Sequence, residues 1–246
     1  KPSDRRRHHY KTFIKKREEI SEFVFPSAFF ILSVFIFDNR QIQYKIKTNL
    51  FLMYKKELLM AYCPWSLHDD FSKIYHDTEW CRPHNDDSYL FEMLVLEGAQ
   101  AGLSWATVLK KRNAYRNAFF HFDIKKCAAM TDEQIENCLE NPGLIRNRRK
   151  IESVRKNAAA VLAIQKEYGS FSAYLWSFTK NRPVINHWKR PEDVPCESDL
   201  SCKVSRDLKK RGCTFAGPVI IYSFLQAAGL IDDHLITCPF HSENRK

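Results

Sequence analysis

Between Leu90 and Ala101 the apolar positions recur with the period of a helix. Leu90, Leu94, Glu97 and Ala101 fall at i, i+4, i+7 and i+11, with Met93 alongside. The spacing predicts a helix with one buried face, and Glu97 continues that face. An ionised carboxylate in apolar surroundings costs several kcal/mol unless something pairs with it. Glu97 therefore implies a partner: an arginine, backbone N–H groups, or a ligand. Gly102-Leu103-Ser104 ends the helix, and Ser104 suits the N-cap of the next one. Trp105 then lies in a first helical turn, one chain reversal from the acid. An acid and an indole converging at a helix junction suit a flat, polar, electron-poor ligand.

The same periodicity predicts helices along most of the chain after residue 60. Asp87 or Ser88 caps the helix that carries Glu97. The helix opened by Ser104 turns Val108, Leu109 and Phe119 inward and Lys110, Lys111 and Arg112 outward. Thr131 and Gln134 read as a capping box for a short helix with Ile135 and Leu139 inside. Asn141-Pro142-Gly143 breaks it, Leu144 and Ile145 plug the turn, and a basic start (Arg146, Arg148, Arg149, Lys150) leads into a helix through Ile151, Val154, Ala158, Val161 and Leu162. A helix, tight hairpin and helix can seat a phosphate on hairpin N–H groups and the positive helix end, or be an ordinary helical hairpin with a solvated basic face. The pattern leaves both open. Phe171–Phe178 is an aromatic core stretch, and 181–200, with Pro183, Pro191 and Pro195, reads as irregular loop. A helix around Lys203–Arg211 ends at Gly212 with Lys209, Lys210 and Arg211 in its last turn; Pro218 opens another that runs toward Gly229. Gly is scarce, with 7 in 246 residues, and the predicted class is all-α.

The net charge of +10 changes this picture little, because it is concentrated. Residues 1–60 hold thirteen Lys/Arg against six Asp/Glu, so global basicity is weak grounds for a nucleic-acid partner. That segment also carries an apolar run from Phe23 to Phe37, short for a bilayer span of about 20 residues. We read 1–60 as an extension, poorly ordered or hydrophobic, outside the working core, and 61–246 as the functional domain. No stable membrane association is expected for that core. The eight cysteines are too dispersed for a disulfide scaffold. They point to a reducing, intracellular compartment, the cytoplasm of a bacterium or a nucleus, with Cys127 and Cys138 as small core residues.

Four candidates form a Cys-x12-His near one end, Cys63 and His76, and a His-x3-Cys at the other, His234 and Cys238. Two thiolates and two imidazoles are a closed tetrahedral zinc set, structural rather than hydrolytic. His68, His84, His187 and His241 compete for the same role on spacing alone.

With these residues assembled, the stretch from Cys63 to Cys238 resembles the 3-methyladenine DNA glycosylase I family. The matching strings are Cys63-x-Trp65, Y-H-D-T-E-W (75–80), L-F-E-M-L-V-L-E-G-A-Q-A-G-L-S-W-A-T-V-L-K-K-R (90–112), G-L-I-R-N-R-R-K-I (143–151), L-W-S-F (175–178), K-K-R-G (209–212), Y-S-F-L-Q-A-A-G-L (222–230) and D-H-x3-C (233–238). The resemblance implies a helix-hairpin-helix glycosylase fold with one structural Zn2+ at Cys63, His76, His234 and Cys238, joining the two ends of the core. It implies hydrolysis of the N-glycosidic bond of 3-methyladenine in alkylated double-stranded DNA. The absence of an Asp between Arg148 and Asp193, and of a lysine in a buried frame, argues for a monofunctional enzyme, expected to be a monomer. Glu97 and Tyr75 would be the catalytic pair, and Trp65, Trp80 and Trp105 the base-binding walls. Gly143, Leu144, Ile145, Arg146, Lys209, Lys210 and Arg211 would hold DNA. Ser72 departs from the tyrosine that family members often carry there, with Phe71 adjacent, and so alters one pocket wall. Three rival readings are a catalytically inactive, zinc-stapled DNA-binding protein of the same fold, a membrane-anchored protein, and a metal-dependent hydrolase.

Overall fold

Short polar caps set the helix starts, and the computed structural model describes the outcome for residues 61–245. The expectations for residues 1–60 lie outside the described residues. The Asp69 carboxylate accepts from the Phe71 and Ser72 amides and opens α1 (Asp70–Thr78). Asp86 accepts from Tyr89 N and opens α2 (Asp87–Gln100), so the cap falls one residue before the predicted Asp87. Ser104 caps α3 (Trp105–Ala118). After α4 (Ile124–Ala128), the Thr131–Gln134 capping box forms as predicted at the head of α5 (Asp132–Glu140). Asn147 caps the long α6 (Arg148–Tyr168), and α7 (Phe171–Ser177) follows. Then come α8 (Asp199–Lys210) and α9 (Pro218–Ala227). The stretch 181–200 is not wholly irregular: β1 (Val184–Ile185) pairs in parallel with β2 (Ile231–Asp232).

Helix α2 is the centre of the packing. Every residue from Leu90 to Ala99 is buried, and α3, α6, α7 and α9 all pack against it. The sequence predicts the helix, but a one-sided helix is a misreading. Phe91, Val95, Leu96 and Ala99 fill the positions between the stripe residues, so the apolar surface goes all the way round. Each fully buried Leu, Phe or Met contributes about 1.5–3 kcal/mol relative to an exposed one, so this helix contributes heavily to core stability.

Two side-chain assignments also change. Asp87 does not cap its own helix; it accepts from the Phe171 and Ser172 amides and from Gln165 Nε2, tying α7 to α2. Arg112 is turned inward, not outward, because two acids are waiting for it. Its guanidinium bonds Glu79 through both terminal nitrogens at 2.8 Å and Glu92 through Nε at 2.8 Å. At Gly229, φ is +74° and a Cβ would lie 2.0 Å from the Arg82 carbonyl oxygen, so only glycine lets the end of α9 pass the 79–84 loop. Among the described residues no helix is long and apolar enough to cross a membrane.

Candidate active site

Helix α2 buries two glutamates five residues apart, and their surroundings differ completely. Glu92 is clasped by Arg112 and Arg116, each through two hydrogen bonds. Glu97, 4% exposed, has no hydrogen-bond or ion-pair partner among the described residues. Desolvation alone pushes its carboxyl up from the usual carboxylate range to about 8. The fold thus supplies counter-charges to one acid and withholds them from the other.

Glu97 lines a cavity of about 550 Å3 together with Trp65, Tyr75, Trp80 and Trp105. All five side chains that the sequence assigns to a pocket come together there. The Trp65 and Trp80 rings meet edge to face with centroids 4.9 Å apart, and Tyr75 meets Trp105 the same way at 5.2 Å. Trp65 comes from the 3-10 turn Pro64–Leu67, Tyr75 from α1 and Trp105 from the first turn of α3. Tyr75 Oη, Trp105 Nε1 and Tyr222 Oη are buried without a hydrogen-bond partner. Buried polar groups are normally satisfied, so three idle donors around an idle acid mark a cavity shaped for a ligand.

Tyr222 lines the cavity although the sequence marks no role for it. On α9 a tyrosine among apolar residues reads as core. Gln226 and Asp233 also line the cavity. Asp233 accepts from Asn186 Nδ2 (2.7 Å) and Trp188 Nε1 (2.6 Å), which share one stretch far back in the chain, and from Gln226 Nε2 (2.6 Å) on α9, a combination that no local pattern connects. Ser72 is absent from the lining; it is buried at the start of α1 with Oγ donating to Asp69 at 2.7 Å.

At one side of the cavity lie the predicted metal ligands. Cys63 Sγ, His76 and Cys238 Sγ present ligand atoms within 4.8 Å of one another. Each histidine has a carboxylate on Nδ1: Asp77 at 2.8 Å from His76 and Asp232 at 2.8 Å from His234. The Nε2 atoms are thereby left for other use, and that of His234 is buried with no partner. A hydrogen bond from the Cys63 thiol holds Cys238 well below the ordinary thiol range, and the same contact pushes Cys63 up. Carboxylate-backed imidazoles beside paired thiols are groups that could hold a metal ion. Three of the competing histidines are engaged elsewhere: His84 stacks on Tyr89, His187 Nε2 lies 3.0 Å from Glu243, and His241 Nε2 lies 2.9 Å from the Asn186 carbonyl.

The predicted DNA contacts separate into two places. Leu144 is buried, and Gly143 packs so closely that a Cβ would meet Ala114 at 2.8 Å. The hairpin does not present free N–H groups at Gly143, Leu144 and Ile145. They donate to Asn141 Oδ1, Asn141 O and Tyr115 Oη, which leaves Arg146, exposed at the tip, as the available group. Lys209 and Lys210 are exposed, but Arg211 is bound to Glu167 and Asp207 at 2.6 Å each. Glu167 is at the far end of α6 from the hairpin, and 21 residues of helix span about 30 Å. Arg211 therefore does not join the hairpin surface.

The fold and cavity define a helical protein with a buried, unpaired acid in a cavity also lined by three indoles, a lining that could take a flat cationic heteroaromatic ring. Comparison with known proteins agrees. The methyladenine glycosylase family pattern matches residues 65–242. A DNA-3-methyladenine glycosylase of Haemophilus influenzae is 48% identical over 177 residues, 72% of this chain and 96% of that protein. DNA-3-methyladenine glycosylase 1 of Escherichia coli is 42% identical over 186 residues, 76% of this chain and all of that protein. The solved 3-methyladenine DNA glycosylase I of Staphylococcus aureus superposes with a TM-score of 0.72 at 40% identity, covering 74% of this chain and 97% of that one. The chain belongs to the methyladenine glycosylase family.

Proposed function

We propose that this protein excises 3-methyladenine from alkylated double-stranded DNA, as a monofunctional glycosylase acting in base-excision repair. The observation that carries this is the unpaired Glu97 carboxyl inside an indole-walled cavity. Methylation at N3 makes the attached adenine a cation and its glycosidic bond labile. The enzyme's task is then to take the base out of the stack and recognise it, with little push on water. At pH 7 a carboxyl with a pKa of about 8 is mostly protonated, and its ionised form lies about 1.4 kcal/mol higher. A cation about 4 Å away contributes about 4 kcal/mol at the effective dielectric of a protein site. Arrival of the charged base therefore ionises Glu97, whereas neutral adenine does not. Indole faces add about 2 kcal/mol for a desolvated cation, and Tyr75 and Trp105 supply hydrogen-bond donors. On cleavage the C1′–N bond breaks, its electron pair stays on the departing base, which becomes neutral, and water adds to C1′ and loses its proton to solvent.

No lysine lines the cavity among the described residues, in keeping with hydrolysis rather than lyase chemistry through a Schiff base. Cys63, His76 and Cys238 lie close enough together to hold a zinc ion. His234 groups instead with Cys81 and Asp232, but its ring meets that of His76 at 4.8 Å and its partnerless Nε2 makes it the fourth ligand of this reading. With four protein ligands the ion would cross-link the chain segments that carry Trp65 and Tyr222 and leave no position for water. The helix-hairpin-helix reading rests on α5, the 141–147 turn and α6, with Arg146 at the tip. The test is release of free 3-methyladenine from methylated duplex DNA. Release that is lost in Glu97→Gln supports the reading. A folded protein that binds the duplex and releases no base is the inactive DNA-binding alternative.

A further inference from the structure

Lys150 follows the hairpin in a run of basic residues, where a phosphate contact is the obvious use of its charge. The structure puts the charge to another use. Lys150 Nζ donates to the Ala99 carbonyl at 2.9 Å and to the Ala101 carbonyl at 2.6 Å, about fifty residues back in the chain. Those carbonyls belong to the open end of α2, where the helix has no further N–H groups to offer. The ammonium therefore fills two vacant acceptors and meets the negative end of the helix dipole.

What hangs from that helix end is the pocket. Glu97 lies one turn before Ala101. Beyond it Gly102 (φ +78°) reverses the chain, Leu103 projects into solvent, and Ser104 caps α3 with Trp105 as its first residue. On its own side this turn is held by two backbone bonds, Ala101 N to Gly98 O and Leu103 N to Gln100 O. Lys150 is the brace from outside. It sits in the first turn of α6, just after Arg146, and the Asn147 cap fixes its own backbone amide.

We infer that Lys150 is a positioning residue: by holding the end of α2 to the start of α6, it keeps Glu97 and Trp105 in register with the hairpin that carries Arg146. The inference rests on the base-excision reading above and deepens it, because it makes the DNA-facing turn and the base pocket one rigid piece. It also removes Lys150 from the phosphate contacts.

The test compares the parent protein with Lys150→Met, which keeps the stem and loses the cation, and Lys150→Arg, which restores donors for both carbonyls. Three quantities are measured: affinity for free 3-methyladenine, single-turnover excision from methylated duplex, and the dependence of duplex binding on salt. Lys150→Met is expected to bind the free base roughly tenfold less tightly and to excise it roughly 100-fold more slowly, the loss typical of a displaced pocket. Its salt slope is expected to stay at the parent value, and Lys150→Arg to recover most of both losses. A lone phosphate contact predicts the reverse: unchanged free-base affinity with a salt slope shallower by about one. Either that pattern, or parental base affinity and excision in Lys150→Met, overturns the inference. If Lys150→Met does not fold, Lys150→Gln, which keeps an amide donor and loses the charge, serves the same comparison. Failure of the parent protein itself to excise the base from methylated duplex would count against the base-excision reading instead.

Discussion

Replacing Glu97 with glutamine probes the pocket's charge while keeping its shape. In the empty cavity the carboxyl has a pKa of about 8 because burial is uncompensated. At pH 7 a cationic base about 4 Å away gains about 4 kcal/mol of attraction and must spend about 1.4 kcal/mol ionising the acid. The net of about 2.6 kcal/mol corresponds to roughly 70-fold in affinity or in single-turnover excision at limiting enzyme. Above pH 8 the ionisation cost disappears and the gap widens toward the full 4 kcal/mol, roughly several hundredfold. The assay is excision of 3-methyladenine across pH 6 to 9. The parent's kcat/KM should climb with pH and level off near 8, since that profile reports groups in the free enzyme. The Gln variant should be slower and flat. A parent profile without that rise, or a variant within threefold of the parent at pH 8.5, refutes a charge-based recognition. The same acid should also cost stability. The folded chain keeps this proton up to about pH 8, while the unfolded chain releases it near 4.5, so folding is penalised increasingly as pH rises across that window. Glu97→Gln should therefore be the more stable protein at pH 8.5, by up to about 5 kcal/mol, with little difference at pH 4.5.

Three further outcomes follow from the neighbouring geometry. Arg112→Met leaves Glu92 with Arg116 alone and strands Glu79, and should cost about 3–5 kcal/mol in urea unfolding; a loss under 1 kcal/mol would show the network to be incidental. Arg146→Ala should reduce the salt slope of duplex binding by about one, whereas Arg211→Ala should leave it unchanged, because Arg211 is held by Glu167 and Asp207. Equal slope changes would put Arg211 on the DNA. Cys63→Ser should abolish stoichiometric zinc and lower Tm; a metal-free variant as stable as the parent would contradict a structural ion.

Much of this was legible because local chemistry dominates at the positions concerned. Ser104, Thr131 and Pro218 announce helix starts through their own side chains or ring, and they appear where expected. Glu97 stood out because a charge on an apolar stripe needs an explanation under any fold. What could not be read depends on contacts across the chain. Arg112 looks like a surface residue until Glu79 and Glu92 are placed beside it. The hairpin amides look free until Asn141 and Tyr115 take them up. Tyr222 has nothing local to separate it from a core tyrosine; only the cavity shows its hydroxyl without a partner. Lys150 reads as one more cation in a basic run, and its real acceptors lie at the end of a helix far back in the sequence.

The most direct measurement is the ionisation of Glu97 itself, followed through the chemical shift of its 13C-labelled side-chain carboxyl. The titration is run on the empty protein and on the protein saturated with 3,9-dimethyladenine, a cation at neutral pH that mimics the methylated nucleotide. The account predicts a midpoint near 8 in the empty cavity and a fall of two pH units or more on binding, with no such fall for adenine. A midpoint near 4.5 in the empty protein, or one that the cation leaves in place, would contradict it.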